Sequence, residues 1–505
     1  MQIQTAILPS FYQDSVVLMR VASEVRAHPG VREAAAFMGT AANQAILEQT
    51  GLATPESRCA RPDDLVLAVA AESEAAAAAA LAAARTLLLT RRESGARTEA
   101  ARPRTLDAAL RALPQANLAA ISVPGPYAAF EARRALRRGL HVFLFSDNVP
   151  LAEEVALKRE ALRRGLFCMG PDCGTAYVNG QGLGFANRVP RGRVGCVAAS
   201  GTGLQAVACR LAAQGEGISH AIGVGGRDLS AEVGGMMTIA AVEALGRDPG
   251  TEAIVLISKP PHPEVVRPLL ARLAPAEKPL IGCWLGASPS AGNQVTWTET
   301  LDQAADAAVA RLRQKAWAPQ PFREPGRVRE RLSALREARL AGSGVRGLYT
   351  GGTLAHEAHL ILQQLLGGSC AHRIVDLGDD AYTVGRPHPM IDPERRSEFV
   401  LEAGKAPEVG VVLLDLVLGV GGHPDPAKPL AQAVREARAR AAAEGRRPAF
   451  VASVVGTQLD PQGLDRQVAR LTEADVEVLP SNAEAARFAA LLVSPKLEAT
   501  LLETA

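Results

Sequence analysis

GRVGCVAASGTGLQAVACRLAAQG, residues 192–215, is the stretch from which the fold can be read. The apolar run 194–199 has the character of a buried strand, Ser200-Gly201-Thr202-Gly203 of a tight turn, and the residues from Leu204 of a helix. Such a turn leaves the first backbone N–H groups of the helix unpaired, with the positive end of the helix dipole behind them. Ser200 and Thr202 add hydroxyl donors, and the two glycines let an anion approach the backbone. An ordinary strand–turn–helix connection has the same composition, so one copy does not decide the matter. VRGLYTGGTLAHEAHLILQQLLG, residues 345–367, is a second copy: strand, a Gly351-Gly352-Thr353 turn, helix. Two anion-ready helix starts point to a phosphate-like group held between them.

Working outward, short apolar runs alternate with helical patterns along the whole chain. Strands are expected at 3–8, 34–38, 65–70, 118–123, 142–145 and 166–169, then at 254–258, 280–284, 374–377, 411–417 and 449–455. Strands alternating with helices predict βαβ units and α/β architecture with parallel, doubly wound sheets. Three such domains are expected: a Rossmann-like domain over 1–188, a flavodoxin-like domain over 189–315, and a second flavodoxin-like domain over 344–505. A linker rich in proline and charge is expected over 316–343, its residues 331–340 forming a solvated helix. No G-x-G-x-x-G follows the first strand, which argues against a dinucleotide enzyme.

The chain has 505 residues, 48% hydrophobic and 21% charged, the profile of a globular protein of about three domains. Its net charge of +2 gives no reason to expect nucleic acid or an anionic membrane as partner. Seven scattered cysteines do not form a disulfide framework, and Cys168 and Cys173 lack a second ligand pair, so no metal site is expected. The first residues lack the basic start and long apolar core of a signal peptide. No uncharged apolar run reaches the roughly 18 residues needed to cross a bilayer. A cytoplasmic protein is the expectation.

Several polar clusters are candidates. Gly225-Gly226-Arg227-Asp228 pairs a glycine turn with an arginine: either a turn with a surface ion pair, or a substrate-binding loop in which Arg227 grips an anion. Residues 376–389 are denser in polar groups than a connector requires, which favours function. There Asp379, Asp380 and His388 are the catalytic candidates and Arg386 the binder of a substrate carboxylate. His356 and His359, one helical turn apart, fit an exposed helix face better than a zinc site. Asp415, ending a buried strand, is a site residue or a cap.

At these residues the chain resembles known enzymes. ISVPGPYAAFEARRALRRGL (121–140), MGPDCGT (169–175), GRVGCVAASGTG (192–203) and GVGGRD (223–228) are similar to the α subunit of succinyl-CoA synthetase and related nucleoside-diphosphate-forming acyl-CoA ligases. The third part resembles the carboxy-terminal domain of the β subunit. The fused order, with GEGISHAIGVGGRDLSAEVGG, LYTGGTLAHEA and IVDLGDDAYTVGRPHPMIDP, is similar to the FdrA proteins over nearly the whole chain. In the ligases, two glycine-rich helix starts face a phosphohistidine; they match Ser200–Gly203 and Gly351–Thr353. The loop that carries that histidine matches 285–294, which here reads LGASPSAGNQ and has none. The nucleotide-binding ATP-grasp half of the β subunit has no counterpart in the sequence.

The resemblance to FdrA proteins, associated with bacterial allantoin use, implies one subunit of a hetero-oligomeric carbamoyltransferase cleaving oxalurate with phosphate to oxamate and carbamoyl phosphate. Phosphate or carbamoyl phosphate is then the ligand, no cofactor is required, and whether CoA binds stays open. The alternatives are an acyl-CoA synthetase of the succinate–CoA ligase kind, or a CoA-binding subunit of one, and a non-catalytic scaffold subunit.

Overall fold

A computed structural model describes residues 2–13, 15–95, 103–273, 277–287, 295–337, 342–368, 371–383 and 387–503. The chain divides into two bodies: residues 1–113 with 379–388, and residues 114–378 with 389–505.

In the first body, Leu65–Ala71 is the central strand of three, flanked by Gln2–Leu8 and Val31–Met38, each antiparallel to it. Its alternate residues serve opposite faces, as the pleat of a strand demands. Leu65, Leu67 and Val69 pack with Leu18, Val21 and Val25 of helix Ser15–Arg26 and with Ala80, Ala84 and Leu88 of helix Glu74–Gly95. Val66, Ala68 and Ala70 pack with Leu47 and Leu52 on the other side. Here the expectation of a single parallel Rossmann-like sheet over 1–188 is corrected. LVLAVAA is apolar throughout because both of its faces are covered. That is the signature of a strand in a parallel sheet, but two-sided burial, not strand direction, produces it.

The second body carries three sheets. Leu118–Ile121, His141–Leu144 and Cys168–Met169 form a small parallel sheet. Seven strands follow in the order Val295–Trp297, Leu280–Trp284, Ala253–Ser258, Arg191–Ala198, Ile218–Gly223, Thr175–Val178, Gln181–Gly184. The last two are an antiparallel hairpin joined to Ile218–Gly223, so residues 175–184 belong to this sheet rather than to a domain ending at 188. The third sheet is parallel: Arg373–Asp376, Gly344–Tyr349, Val409–Val417, Ala449–Val455, Val476–Leu479. The α/β class and its parallel sheets stand.

One core runs between the seven-stranded and five-stranded sheets, through helices Gly201–Ala213, Leu301–Leu312, Gly352–Leu366 and Asn482–Val493. The expected linker feeds it. Phe322, Val328 and Leu332 are buried there, the last two one turn apart on helix Pro325–Glu337. Val328 and Leu332, with Leu335 partly buried beside them, suffice to dock a helix that also carries six charged residues. Among the described residues no helix is long and apolar enough to cross a membrane.

Three carboxylates, Glu357 and Glu484 buried and Asp302 half-buried, lie where helices of this core begin. Asp302 accepts from Ser481 (2.6 Å), and Glu357 accepts from the Leu301 N–H (2.7 Å) and the Asn482 amide (2.8 Å). Burial first, and the Asp302 charge second, push the Glu484 carboxyl up to about 7 from 4.5. A carboxyl raised on folding stabilises the fold fully below its unfolded pKa and loses that contribution as pH rises through the folded value. The urea midpoint is therefore expected to be lower at pH 8 than at pH 5. Glu484→Gln should flatten that slope; a slope unchanged in the variant would contradict the assignment.

Candidate functional site

Helix Gly201–Ala213 starts directly behind strand Arg191–Ala198. Ser200 is its N-cap, in extended conformation, and its hydroxyl accepts from the Gly203 N–H at 2.9 Å. Helix Gly352–Leu366 starts behind Gly344–Tyr349 with Gly351 as N-cap and no side-chain cap. The two starts meet. Ser200 Oγ lies 2.6 Å from Thr353 Oγ1. A Cβ on Gly203 would stand 2.7 Å from Ser200 Oγ and 3.2 Å from Thr353 Cγ2, and one on Gly351 would stand 3.0 Å from Thr202 Cγ2. Glycine at these positions is what lets the turns approach.

The second turn is held from beneath by Asp415. Its carboxylate accepts from the Thr350 N–H (2.9 Å), the Gly351 N–H (2.8 Å) and the Thr350 hydroxyl (3.1 Å), and pairs with Arg396 at 3.1 Å. Arg396 also donates to the Leu348 carbonyl (3.0 Å) and to the Asp415 carbonyl. Of the two roles open to Asp415, the observed one is to fix the backbone that enters the turn. The Asp376 carboxylate, which accepts from the Gly378 N–H (2.9 Å), lies against the Cα of Gly352, where a Cβ would strike it. A carboxylate at a helix start is the kind of charge such a start favours.

Gly225-Gly226-Arg227-Asp228 is built differently from the expected substrate loop. Asp228 is fully buried and caps helix Met236–Arg247, accepting from the Thr238 N–H (2.9 Å) and hydroxyl (2.7 Å). It also accepts from Lys158 Nζ at 2.9 Å, which further donates to Glu154 (2.8 Å) and to the Val224 carbonyl (2.9 Å). Arg227 donates to the same Glu154 (2.8 Å) and to the Val149 carbonyl (2.7 Å). These partners fill the carboxylate of Asp228 in an internal ion network, while Arg227, which remains exposed, spends two of its N–H groups on Glu154 and Val149. Gly225, at φ 83°, turns the chain where a side chain would meet the Pro171 carbonyl, and Gly226 stands open. Lys158 was missed in the sequence because helical spacing alone gives no sign that a lysine is buried.

The aspartate-rich loop belongs to the first body. Asp379 caps the single turn Asp380–Thr383, accepting from the Ala381 N–H at 2.9 Å, and both aspartates are exposed. This local capping explains part of the loop's polarity without catalysis. His388 is half-buried, and burial pushes its pKa down to about 4. Arg386, and residues 288–294 of the loop that lacks a histidine, lie outside the described residues.

Comparison with known proteins adds names to this geometry. A family model described as CoA-ligase matches residues 348–492, which contain the second turn. Another, described as AllF, heavy metal-associated domain, matches residues 1–104. Cys59, exposed, is the lone cysteine of that stretch, and no group of three or more His, Cys, Asp or Glu suited to a metal occurs among the described residues. The donor set does not fit a heavy metal, which prefers paired thiolates. The chain is 38% identical over 506 residues to the uncharacterized protein YahF of Escherichia coli (strain K12), covering 95% of this chain and 97% of that one. It is 31% identical over 150 residues to the α subunit of the ADP-forming succinate–CoA ligase of Aquifex aeolicus, and spans 48% of that subunit and 28% of itself. Among solved structures, a dinucleotide-forming acetyl-coenzyme A synthetase of Ca. Korarchaeum cryptofilum aligns over 77% of this chain and 85% of that one. That alignment has 18% identity and a TM-score of 0.32.

Proposed function

The chain belongs to the family of Escherichia coli YahF, and on that footing we propose that it handles an acyl phosphate, as a CoA-ligase-type acyl-CoA synthetase or a subunit of one. One observation carries the reading: the hydroxyls of Ser200 and Thr353, 153 residues apart in sequence, are in hydrogen-bond contact across two facing helix starts. Ser200 and Asp415 take the Gly203, Thr350 and Gly351 N–H groups, and the remaining N–H groups of the two helix starts are the ones that favour an anion beside this contact. In the thioester-forming direction a thiol sulfur bonds the acyl carbon and the C–O bond to phosphate breaks. The phosphate leaves with its charge directed at those N–H groups, a preorganised electrostatic stabilisation that needs no side-chain charge. Formation of the acyl phosphate falls to a nucleotide-binding partner subunit.

A second reading keeps the same phosphate site. Carbamoyl phosphate is also an acyl phosphate, and phosphorolysis of oxalurate to oxamate and carbamoyl phosphate places free phosphate between the turns as nucleophile. What favours it is the sequence of 285–294, which has no histidine to carry a phosphoryl group. The family descriptions and curated relatives favour the CoA ligase.

Calorimetric titration with inorganic phosphate, carbamoyl phosphate and CoA separates these. Phosphate affinity is expected to fall about tenfold or more in the Ser200→Ala, Thr353→Ala double variant, the loss that follows removal of hydrogen bonds to a charged group. Binding equal to that of the wild type would end the proposal. CoA binding by the wild type supports the ligase, whereas phosphate-dependent consumption of oxalurate supports the carbamoyltransferase.

A further inference from the structure

Helix Gly352–Leu366 passes the strand ends of the seven-stranded sheet one after another. Its start lies against Thr202, Thr353 touches Ser200 and neighbours Ile257 across Gly203, and Leu360 lies over Gly286. His356 falls between these points. Its ring is hydrogen-bonded to the backbone of Leu285, which itself donates to the Ser258 carbonyl at 3.0 Å. His356 follows Gly352 by four residues and Thr353 by three, so it shares their helix face. Helical side chains lean toward the N-terminus, so the imidazole is directed toward the first turn rather than away from it. Its Nε2 is fully buried and has no hydrogen-bond partner. A buried polar atom left unmatched costs about 1–3 kcal/mol and calls for an explanation.

We propose that His356 Nε2 is a side-chain ligand of the phosphate group held at the two glycine turns, taking up a proton from solvent on binding and donating a hydrogen bond to a phosphate oxygen. This rests on the phosphate site described under Proposed function. The groups facing the ring are Lys259, just beyond strand Ala253–Ser258, His359 on its own helix, and the Leu285 backbone. Burial first, then Lys259 and His359, disfavour the charged imidazole and lower its pKa from the usual histidine value. An incoming dianion reverses that balance, and the ring then completes with a side chain the cradle that backbone N–H groups begin. Lys259 lies beside it as a second positive charge.

The test is an NMR titration of the full chain labelled with [15N]histidine, with and without saturating inorganic phosphate, and with sulfate as an anion that does not titrate. The resonance assigned by its loss in His356→Gln is expected to rise in pKa by more than about one unit when either anion is bound, as for a cation gaining an opposite charge within reach. His356→Gln is expected to weaken phosphate binding about tenfold. His356→Asn, which keeps a donor toward the Leu285 backbone, should show the same loss and serves if the glutamine variant folds poorly. An unshifted imidazole, with wild-type affinity in both variants while Gly203→Val abolishes binding, overturns the inference and leaves the phosphate site standing. Failure of the wild type to bind phosphate overturns both.

Discussion

Lys158→Met is expected to lower the unfolding free energy of the second body by about 3–5 kcal/mol, the cost of removing one member of a buried ion pair. Lys158 and Asp228 are both fully buried, and the ammonium is the charge that neutralises Asp228 while donating to Glu154 and the Val224 carbonyl. Burial pulls the Lys158 pKa down, but Asp228 and Glu154 outweigh it and leave it raised. Removing the ammonium leaves Asp228 charged and fully buried, although Glu154 keeps Arg227. Adding Asp228→Asn should recover part of the loss, since the amide oxygen still accepts from Thr238 without a charge to bury. Denaturant unfolding followed by circular dichroism gives the number. A loss below about 1 kcal/mol, the range of an exposed pair, would mean that the network is not the anchor of the 225–238 loop.

Gly203→Val is expected to reduce phosphate affinity by at least about a hundredfold, close to 2.7 kcal/mol. A Cβ there would stand 2.7 Å from Ser200 Oγ, 3.1 Å from Ile257 and 3.2 Å from Thr353. The strand end cannot retreat, because Ile257 belongs to a fully buried strand. The two turns must therefore part, and the Ser200–Thr353 contact with them. Overpacking of this kind also costs about 1–3 kcal/mol of stability, so the variant is compared at a temperature where it is folded. Gly201→Ala, in the same turn, is expected to disturb the approach of the two turns less. Its Cβ would meet Thr175 Oγ1 at 3.2 Å and otherwise only ordinary contacts at 3.6 Å and beyond, away from the second turn. Calorimetry with inorganic phosphate decides: a folded Gly203→Val protein that binds like the wild type would remove the facing turns from the site.

The two glycine turns are legible because each is a local event. A strand, a run of small residues and a helix are written within some twenty consecutive residues, and hydroxyls and glycines mark the turn without reference to the rest of the chain. The same locality misleads at Arg227 and Asp228. A glycine turn beside a charged pair looks like a ligand loop until Lys158 and Glu154, on a helix some seventy residues earlier, are seen to meet it. At 379 and 380 the polarity has a local component: Asp379 caps the single helical turn beside it, and Asp380 begins that turn, exposed. His356 was read as an exposed helix position, since only the packing of its helix across Leu285 buries Nε2.

By itself the sequence determined that strands and helices alternate and where the two glycine turns fall, because these follow from backbone sterics and hydrogen bonding within a few residues. The tertiary structure alone decided strand direction in the first body, where a doubly covered antiparallel strand has the composition of a parallel one. It alone decided that Ser200 and Thr353 touch and that Lys158 is buried, because contact and desolvation depend on segments far apart in the chain. Those long-range facts turn two ordinary helix starts into one candidate site.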